Sequence, residues 1–238
     1  MSFRAALLTA LMLMPGIAAC LSLSPTRLEV DLRSQPAAEA ELLLGGRPDR
    51  AQHIELSVVE RLAEGTVDAP ETGVVIDVVP PQLVIEPGQR GRVRVQVRRI
   101  GAVAPASRSY YLVVEPVAIA APETDGAAGA EPQLSFVPRL YLPLHVDLGG
   151  TPATRVRRVT GPQPEGEEPG GAIELVNRGN RYQRLGTLRV AGPADALDGR
   201  ELARRARTDA LLPGQTLRIP LAAGELPGEP LTLQAVGE

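Results

Sequence analysis

The sequence predicts an all-β chain folded into two sandwich domains, and three observations support this prediction. Glycine (24) and proline (23) are spread along the 238 residues without a fixed period, which is typical of many short strands joined by turns. The hydrophobic fraction of 44% is enough for a packed core, although aromatic residues make up only 3% and tryptophan is absent. Short segments with apolar residues at every second position recur along the chain, so valine, leucine and alanine are expected to fill the core.

The first half of the chain contains the clearest strand patterns. Residues 21–32, LSLSPTRLEVDL, alternate apolar residues on both sides of Pro25, as in an edge strand that bends or switches sheets. The run VVIDVV at 74–79 is stopped by two prolines. Residues 92–99 alternate valine with arginine, which predicts a half-exposed strand with arginines on its wet face. Further extended segments are expected at 40–44, 54–59, 83–85, 110–117 and 134–146. The total is about seven or eight strands before residue 148, as in a sandwich.

The segment 148–152, LGGTP, is the best candidate for a domain boundary because it is short and rich in glycine and proline. We therefore expect an N-terminal domain at 20–147 and a C-terminal domain at 148–238. Extended segments in the second domain are expected at 154–159, 172–176, 184–190, 217–221 and 231–236. Segment 194–212 is ambiguous, since its ELARRAR core favours a helix while its Leu-Pro-Gly end also suits two short strands.

Residues 1–19 are typical of an export signal. Arg4 supplies a positive start, and the apolar stretch 5–14 is too short to span a bilayer. The small residues before Cys20 suit cleavage after Ala18 or Ala19. A second interpretation is that Cys20, the only cysteine, is lipidated as in bacterial lipoproteins. Both interpretations predict export to the periplasm, and the second adds an outer-membrane lipid anchor through Cys20.

Several classes of function lack the residues that they need. A phosphate-binding P-loop requires a lysine, and the chain contains none. The only histidines, His53 and His145, are far from each other in the sequence and from Cys20, so no metal site is expected. The G-x-S-x-G pattern of serine hydrolases is absent. A net charge of −3 gives no basis for nucleic-acid binding. We expect no enzyme, no cofactor, no small-molecule substrate and no nucleic-acid partner.

Two arginines are unusual for their positions. Arg27 follows Pro25 in an alternating strand, and Arg139 lies in a strand otherwise made of leucine, tyrosine and valine. An arginine among apolar neighbours needs an anionic partner if it is buried. The alternative is that each side chain extends along the surface to water. The sequence pattern alone does not choose between the two.

The order of several motifs is similar to that of a known family. SPTRL at 24–28 and VPPQLVIEPGQ at 79–89, followed by Val-Arg-Val at 93–95, resemble the first domain of periplasmic pilus-assembly chaperones of the chaperone–usher pathway. The second domain adds IELVN at 173–177, Arg-Tyr at 181–182 and LPGQ at 212–215. Together these motifs cover nearly the whole mature chain, and the segment from the double proline to Pro-Gly-Gln is the most specific.

The resemblance implies a fold and a function. The fold is two immunoglobulin-like sandwiches set at an angle with a cleft between them. Such a chaperone lends the last strand of its first domain to a pilus or fimbrial subunit and delivers the subunit to an outer-membrane usher. Here Leu134 and Phe136 would enter the groove of the subunit, while Arg27 and Arg139 would hold its C-terminal carboxylate. The rival interpretation is a lipid-anchored or surface immunoglobulin-like adhesive module without a pilin client.

Overall fold

A computed structural model of the chain describes residues 21–62, 73–117, 138–159, 171–193, 195–222, 224–225 and 229–236. The predicted export signal at 1–19, the candidate lipidation site Cys20 and the candidate donor residues Leu134 and Phe136 lie outside these ranges. Of the helices in the described part, none has the length and apolar character needed to cross a membrane.

The first half of the chain forms two facing β-sheets. One has four strands in the order β1-β3-β7-β5, and the other has five in the order β2-β9-β8-β4-β6. The strands are β1 (Ser22–Ser24), β2 (Leu28–Asp31), β3 (Ala37–Gly45), β4 (Gln52–Glu60), β5 (Val74–Val79), β6 (Gln82–Ile85), β7 (Arg90–Arg99), β8 (Ser107–Val117) and β9 (Leu140–Asp147).

The N-terminal strand switches sheets at Pro25, as the sequence predicts. Strand β1 pairs antiparallel with β3 in the four-stranded sheet, whereas β2 pairs parallel with β9 in the five-stranded sheet. Proline has no amide proton for a ladder, so the strand is interrupted where it crosses from one sheet to the other. Arg27 lies between the two halves, directly before β2.

Alternation along the strands places aliphatic side chains between the sheets. On β7, Val93, Val95 and Val97 are fully buried, while Arg92, Arg94 and Arg98 on the other face are exposed. Two of these arginines form exposed ion pairs with acidic residues of neighbouring strands, namely Arg92 with Glu41 and Arg98 with Asp77. The predicted arginine face of this strand is therefore confirmed. Leu148 still packs with this core, so the predicted boundary at residue 148 falls at its edge.

The second half of the chain encloses a separate aliphatic core. Its sheets have the orders β10-β11-β16 and β14-β13-β17, with a short pair β12-β15. The elements are β10 (Thr154–Val159), β11 (Ala172–Asn177), β12 (Gln183–Arg184), a 3-10 turn (Leu185–Thr187), β13 (Leu188–Ala191), β14 (Ala196–Leu197), α1 (Gly199–Ala206), β15 (Ala210–Leu211), β16 (Thr216–Pro220) and β17 (Thr232–Ala235).

The ambiguous segment contains both a helix and short strands. Helix α1 begins after Asp198, whose carboxylate accepts a hydrogen bond of 2.8 Å from Glu201 N. Leu202 is fully buried against the second core. Because a Cβ at Gly199 would lie 2.4 Å from Leu185 O, only glycine allows the helix to start this close to the 3-10 turn. Strands β14 and β15 flank the helix.

A set of polar contacts joins the two units. Ser107 N donates to Asn180 O at 2.9 Å, and Tyr182 N donates to Ser107 Oγ at 2.6 Å. Arg181 forms an ion pair of 2.6 Å with Asp147, a residue that is almost fully buried. These contacts lie at the end of the five-stranded sheet and fix the second unit against its outer face.

Candidate functional site

A cavity of about 680 Å³ lies between the two units. One wall is the outer face of the five-stranded sheet, and the opposite wall is the end of α1 with the residues that follow it. The residues on which the chemistry depends are Arg27, Arg61, Tyr111, Tyr141, Arg207 and Asp209. The cavity is therefore lined by three guanidinium groups, two tyrosines and one carboxylate.

Strand register determines which side chains meet on the outer face of the sheet. Val59 pairs with Tyr111, and Tyr111 pairs with Pro143. The parallel pairing of Leu28 with Leu144 places Arg27 level with Pro143. These residues form one row across four strands.

The next row on the same face contains the second arginine. Arg61 N donates to Ser109 O at 2.8 Å, which extends the ladder just past the end of β4. Ser109 pairs with His145, and His145 pairs with Glu29. Arg27 and Arg61 therefore start from opposite sides of the sheet and reach toward its middle.

The two guanidinium groups converge on Asp209. Arg27 Nη1 lies 3.5 Å from Asp209 Oδ2, and Arg61 Nη1 lies 3.5 Å from Asp209 Oδ1. Arg27 Nε also contacts Glu29 at 2.9 Å. Arg61 donates to the Thr208 hydroxyl, and its Cζ lies 5.1 Å from the centre of the Tyr111 ring, where a cation–π contact adds to its placement.

Asp209 is held as a carboxylate. Burial acts to raise its pKa, but the contact with His145 and the positive charges of Arg61 and Arg27 outweigh burial. The pKa of Asp209 consequently lies well below its usual value, and the group is ionised throughout the physiological range. The arginines thus already bind one carboxylate, which shows the chemistry that the pair can recognise.

His145 is the next residue in contact with Asp209. The ring is fully buried, stacks on Tyr182 with centroids 4.5 Å apart, and has Nδ1 at 2.8 Å from Ser109 Oγ. His145 Nε2 lies 3.5 Å from Asp209 Oδ2. The serine, histidine and aspartate are the residue types of a hydrolase triad, but Ser109 is 5% exposed and does not line the cavity. A substrate therefore has no access to the hydroxyl, and the group is an interdomain contact.

Arg139 does not join Arg27. Its guanidinium is 52% exposed, lies 2.7 Å from Glu115 on the adjacent strand β8, and is not among the groups lining the cavity. The hydrogen bond to Glu115 raises the pKa of Arg139 above its usual value. The predicted meeting of Arg27 with Arg139 is thus not observed in the free protein, and the structure instead brings Arg27 together with Arg61. A role for Arg139 in client binding stays a prediction.

Arg207 has a backbone conformation that few residues adopt. It ends α1 with φ of 53° and is the one non-glycine residue with positive φ among those described. Left-handed conformations at non-glycine residues cost about 1–3 kcal/mol and cluster at functional sites. A glycine would relieve this cost but would remove the third cation from the cavity.

Sequence reasoning missed Arg61 and Asp209. Arg61 continues the outward-facing positions of β4, so its face could have been inferred from alternation alone. Asp209 lies in a connection between a helix and a short strand, where no sequence pattern marks it. Within the described ranges, no three histidine, cysteine, aspartate or glutamate side chains are grouped as a metal site.

Comparisons with known proteins identify the fold. No family model matches the sequence, and no curated protein matches it. Among solved structures, a chain of the Acinetobacter baumannii CsuC–CsuE chaperone–tip adhesion subunit complex, from archaic chaperone-usher Csu pili, has 14% identity and a TM-score of 0.53. That match covers 92% of this chain and 98% of the other.

Two further structures agree. The E. coli chaperone DraB has 16% identity and a TM-score of 0.50, with 86% of each chain covered. A chain of the Salmonella enterica complex of SafA pilin with the SafB chaperone has 13% identity and a TM-score of 0.52, covering 91% of this chain and 96% of the other. The predicted fold class is confirmed: the chain has the two-domain, immunoglobulin-like β-sandwich fold found in structures of pilus chaperones.

Proposed function

We propose that this protein is a periplasmic chaperone that binds pilus or fimbrial subunits by donor-strand complementation and delivers them to an outer-membrane usher. Fold likeness supports the proposal, since two of the similar structures are complexes of a chaperone with a pilin or a tip adhesion subunit. In this proposal residues 1–19 are the export signal, residues 20–147 the N-terminal chaperone domain and residues 148–238 the C-terminal domain.

The observation that carries the proposal is the convergence of Arg27 and Arg61 on one carboxylate in the cavity between the domains. Planar guanidinium groups bind carboxylates through charge-assisted hydrogen bonds. The cavity is open enough to admit the end of a second chain. We assign Arg27 and Arg61 as the pair that holds the C-terminal carboxylate of the client.

The position of β9 supports the donor strand that we propose. Strand β8 runs to Val117, but its last residue paired with β9 is Val114, opposite Leu140. Leu134 and Phe136 precede β9 and lie outside the described residues. In the proposal, this part of the chain adds a strand to the incomplete sandwich of the subunit, with Leu134 and Phe136 entering its groove.

The test is co-expression in the periplasm with a candidate subunit, followed by isolation of the one-to-one complex. Arg27→Ala and Arg61→Ala are expected to abolish the complex while the far-UV circular dichroism spectrum stays unchanged. Arg98→Ala is the matched control, because it removes an exposed guanidinium on the other sheet. If Arg27→Ala and Arg61→Ala both bind the subunit normally, the two arginines do not hold its C-terminal carboxylate.

Arg139→Ala tests the sequence-based alternative in the same experiment. If Arg27 and Arg61 hold the carboxylate, this variant is expected to retain the complex, because Arg139 lies outside the cavity. Loss of the complex in Arg139→Ala with retention in Arg61→Ala would instead support anchoring by Arg27 with Arg139. A wild-type chain that is lipidated at Cys20 and captures no subunit would support the adhesive module.

A further inference from the structure

Asp209 occupies the position of a bound carboxylate in the cleft. Its Oδ1 faces Arg61 and its Oδ2 faces Arg27, with both oxygen–nitrogen distances at 3.5 Å. A carboxylate that receives charge-assisted hydrogen bonds from guanidinium groups lies at about 2.7–2.9 Å. The contact of Asp209 with the two arginines is therefore an ion pair that is longer than a charge-assisted hydrogen bond. Each guanidinium has several N–H donors, so a second carboxylate can approach more closely than Asp209 does.

The backbone of Asp209 is held by a hydrogen bond, but its side chain has a second possible partner, His145. Asp209 O accepts a hydrogen bond of 2.9 Å from Leu185 N. His145 Nε2 is buried, forms no hydrogen bond with any described residue, and lies 3.5 Å from Asp209 Oδ2. The Ser109 hydroxyl can donate to Nδ1 of the same ring, which leaves the ring proton on Nε2, facing Asp209. A small rotation of the carboxylate toward His145 closes that hydrogen bond.

We propose that Asp209 is an internal competitor for the carboxylate site. In the free protein it faces Arg61 and shares Arg27 with Glu29, and a chain-terminal carboxylate binds by displacing it toward His145. The inference rests on the proposed function, because it concerns the same pair of arginines.

A site occupied by its own carboxylate discriminates between ligands. A small free carboxylate gains only the guanidinium contacts and loses part of that gain in displacing Asp209. A protein client gains strand pairing as well, which compensates for the displacement. Asp209 therefore weakens the binding of small anions in the cleft before a subunit binds.

The probe is sodium acetate, titrated against sodium chloride at constant ionic strength while NMR follows the arginine Nε–Hε signals. Removing one negative charge beside the pair is expected to tighten acetate binding about tenfold in Asp209→Asn. Asp209→Glu has the opposite expectation. Its extra methylene lets the carboxylate close the 3.5 Å gap to the arginines, so acetate binds more weakly than in the wild type.

Glu115→Gln is the matched control, because it removes the same charge beside Arg139 and outside the cavity. Unchanged acetate binding in this variant supports the inference. Equal tightening in Glu115→Gln, or no tightening in Asp209→Asn, overturns it. The acetate assay needs no client, so its result is independent of the subunit complex. An intact acetate response without any subunit complex would refute the chaperone function alone.

Discussion

Replacing Asn177 with alanine is expected to destabilise the second domain more than any surface change near it. The side chain is fully buried at the end of β11. Its Oδ1 accepts hydrogen bonds from Ala153 N at 3.2 Å and Gly179 N at 3.0 Å. Its Nδ2 donates to Arg181 O at 2.7 Å and Leu211 O at 3.2 Å. One amide thus ties together the interdomain segment, the loop that carries Arg181 and the strand that follows Asp209.

The magnitude follows from these four bonds. Each contributes about 1 kcal/mol net, and a buried backbone group left without a partner costs about 1–3 kcal/mol. Asn177→Ala is therefore expected to lower the free energy of unfolding by about 3–4 kcal/mol. Asn177→Asp keeps both accepted bonds but turns a carboxylate oxygen toward the carbonyls of Arg181 and Leu211, so we expect a similar loss.

Urea denaturation followed by far-UV circular dichroism measures the free energy, and hydrogen exchange at the Ala153 and Gly179 amides localises the effect. Asn180→Ala is the matched control. Asn180 is exposed, its Oδ1 accepts from Thr151 N at 2.9 Å and its Nδ2 donates to Pro105 O at 2.7 Å, so water can replace both bonds at a cost of about 1 kcal/mol or less. A loss in Asn177→Ala no larger than that of Asn180→Ala, with unchanged exchange, would refute the reasoning.

Three further predictions concern packing, capping and pH. Leu144→Ala, in the first core, is expected to cost about 2–5 kcal/mol in urea denaturation, whereas Val84→Ala, at a side chain 49% exposed, changes little. Asp198→Ala is expected to cost about 1 kcal/mol by removing the cap of α1, and Asp198→Asn restores most of it. Burial raises the pKa of Tyr182 from 10.0 to about 12, so Tyr182→Phe is expected to remove one late phenolate step from the 295 nm absorbance titration. In the unfolded chain this tyrosine loses its proton at its ordinary pKa of 10.0. The free energy of unfolding therefore falls as the pH rises from 10.0 to about 12, and it falls less in Tyr182→Phe.

The strands of the first domain could be predicted because their determinants are local. Alternation marks the buried face of β7, and the double proline ends β5 at Val79, the residue at which the sequence pattern ends. The sheet switch at Pro25 also follows from one residue type at one position. The second domain was harder, since β12, β14 and β15 have only two residues each. Such short elements carry too few side chains to show a period, and their pairing depends on tertiary contacts.

The composition of the candidate site was also hard to predict from local sequence patterns. Alternation predicts the face on which a side chain lies, but not its position along the strand direction. Tyr141 and Pro143 share one face of β9, Arg139 directly precedes the strand at the same alternation, and the register places Arg27 level with Pro143. Arg139 is four residues further along the strand, roughly 13 Å away at about 3.3 Å per residue. It therefore meets Glu115 rather than the cleft.

Arg61 reaches the site for the complementary reason. The antiparallel pairings of β4, β8 and β9 put Val59 level with Pro143, so Arg61 falls one row nearer the second domain, level with Ser109 and His145. Asp209 completes the site from a segment 148 positions later in the sequence. Two strand registers and one domain contact must all be correct before these groups meet, and no local pattern encodes that combination. Changing the register of β2 against β9 by two residues would keep Arg27 on the same face yet move it by about 6–7 Å, beyond the reach of Asp209. The chemistry of the cleft is thus determined by strand pairing as much as by the identity of its arginines.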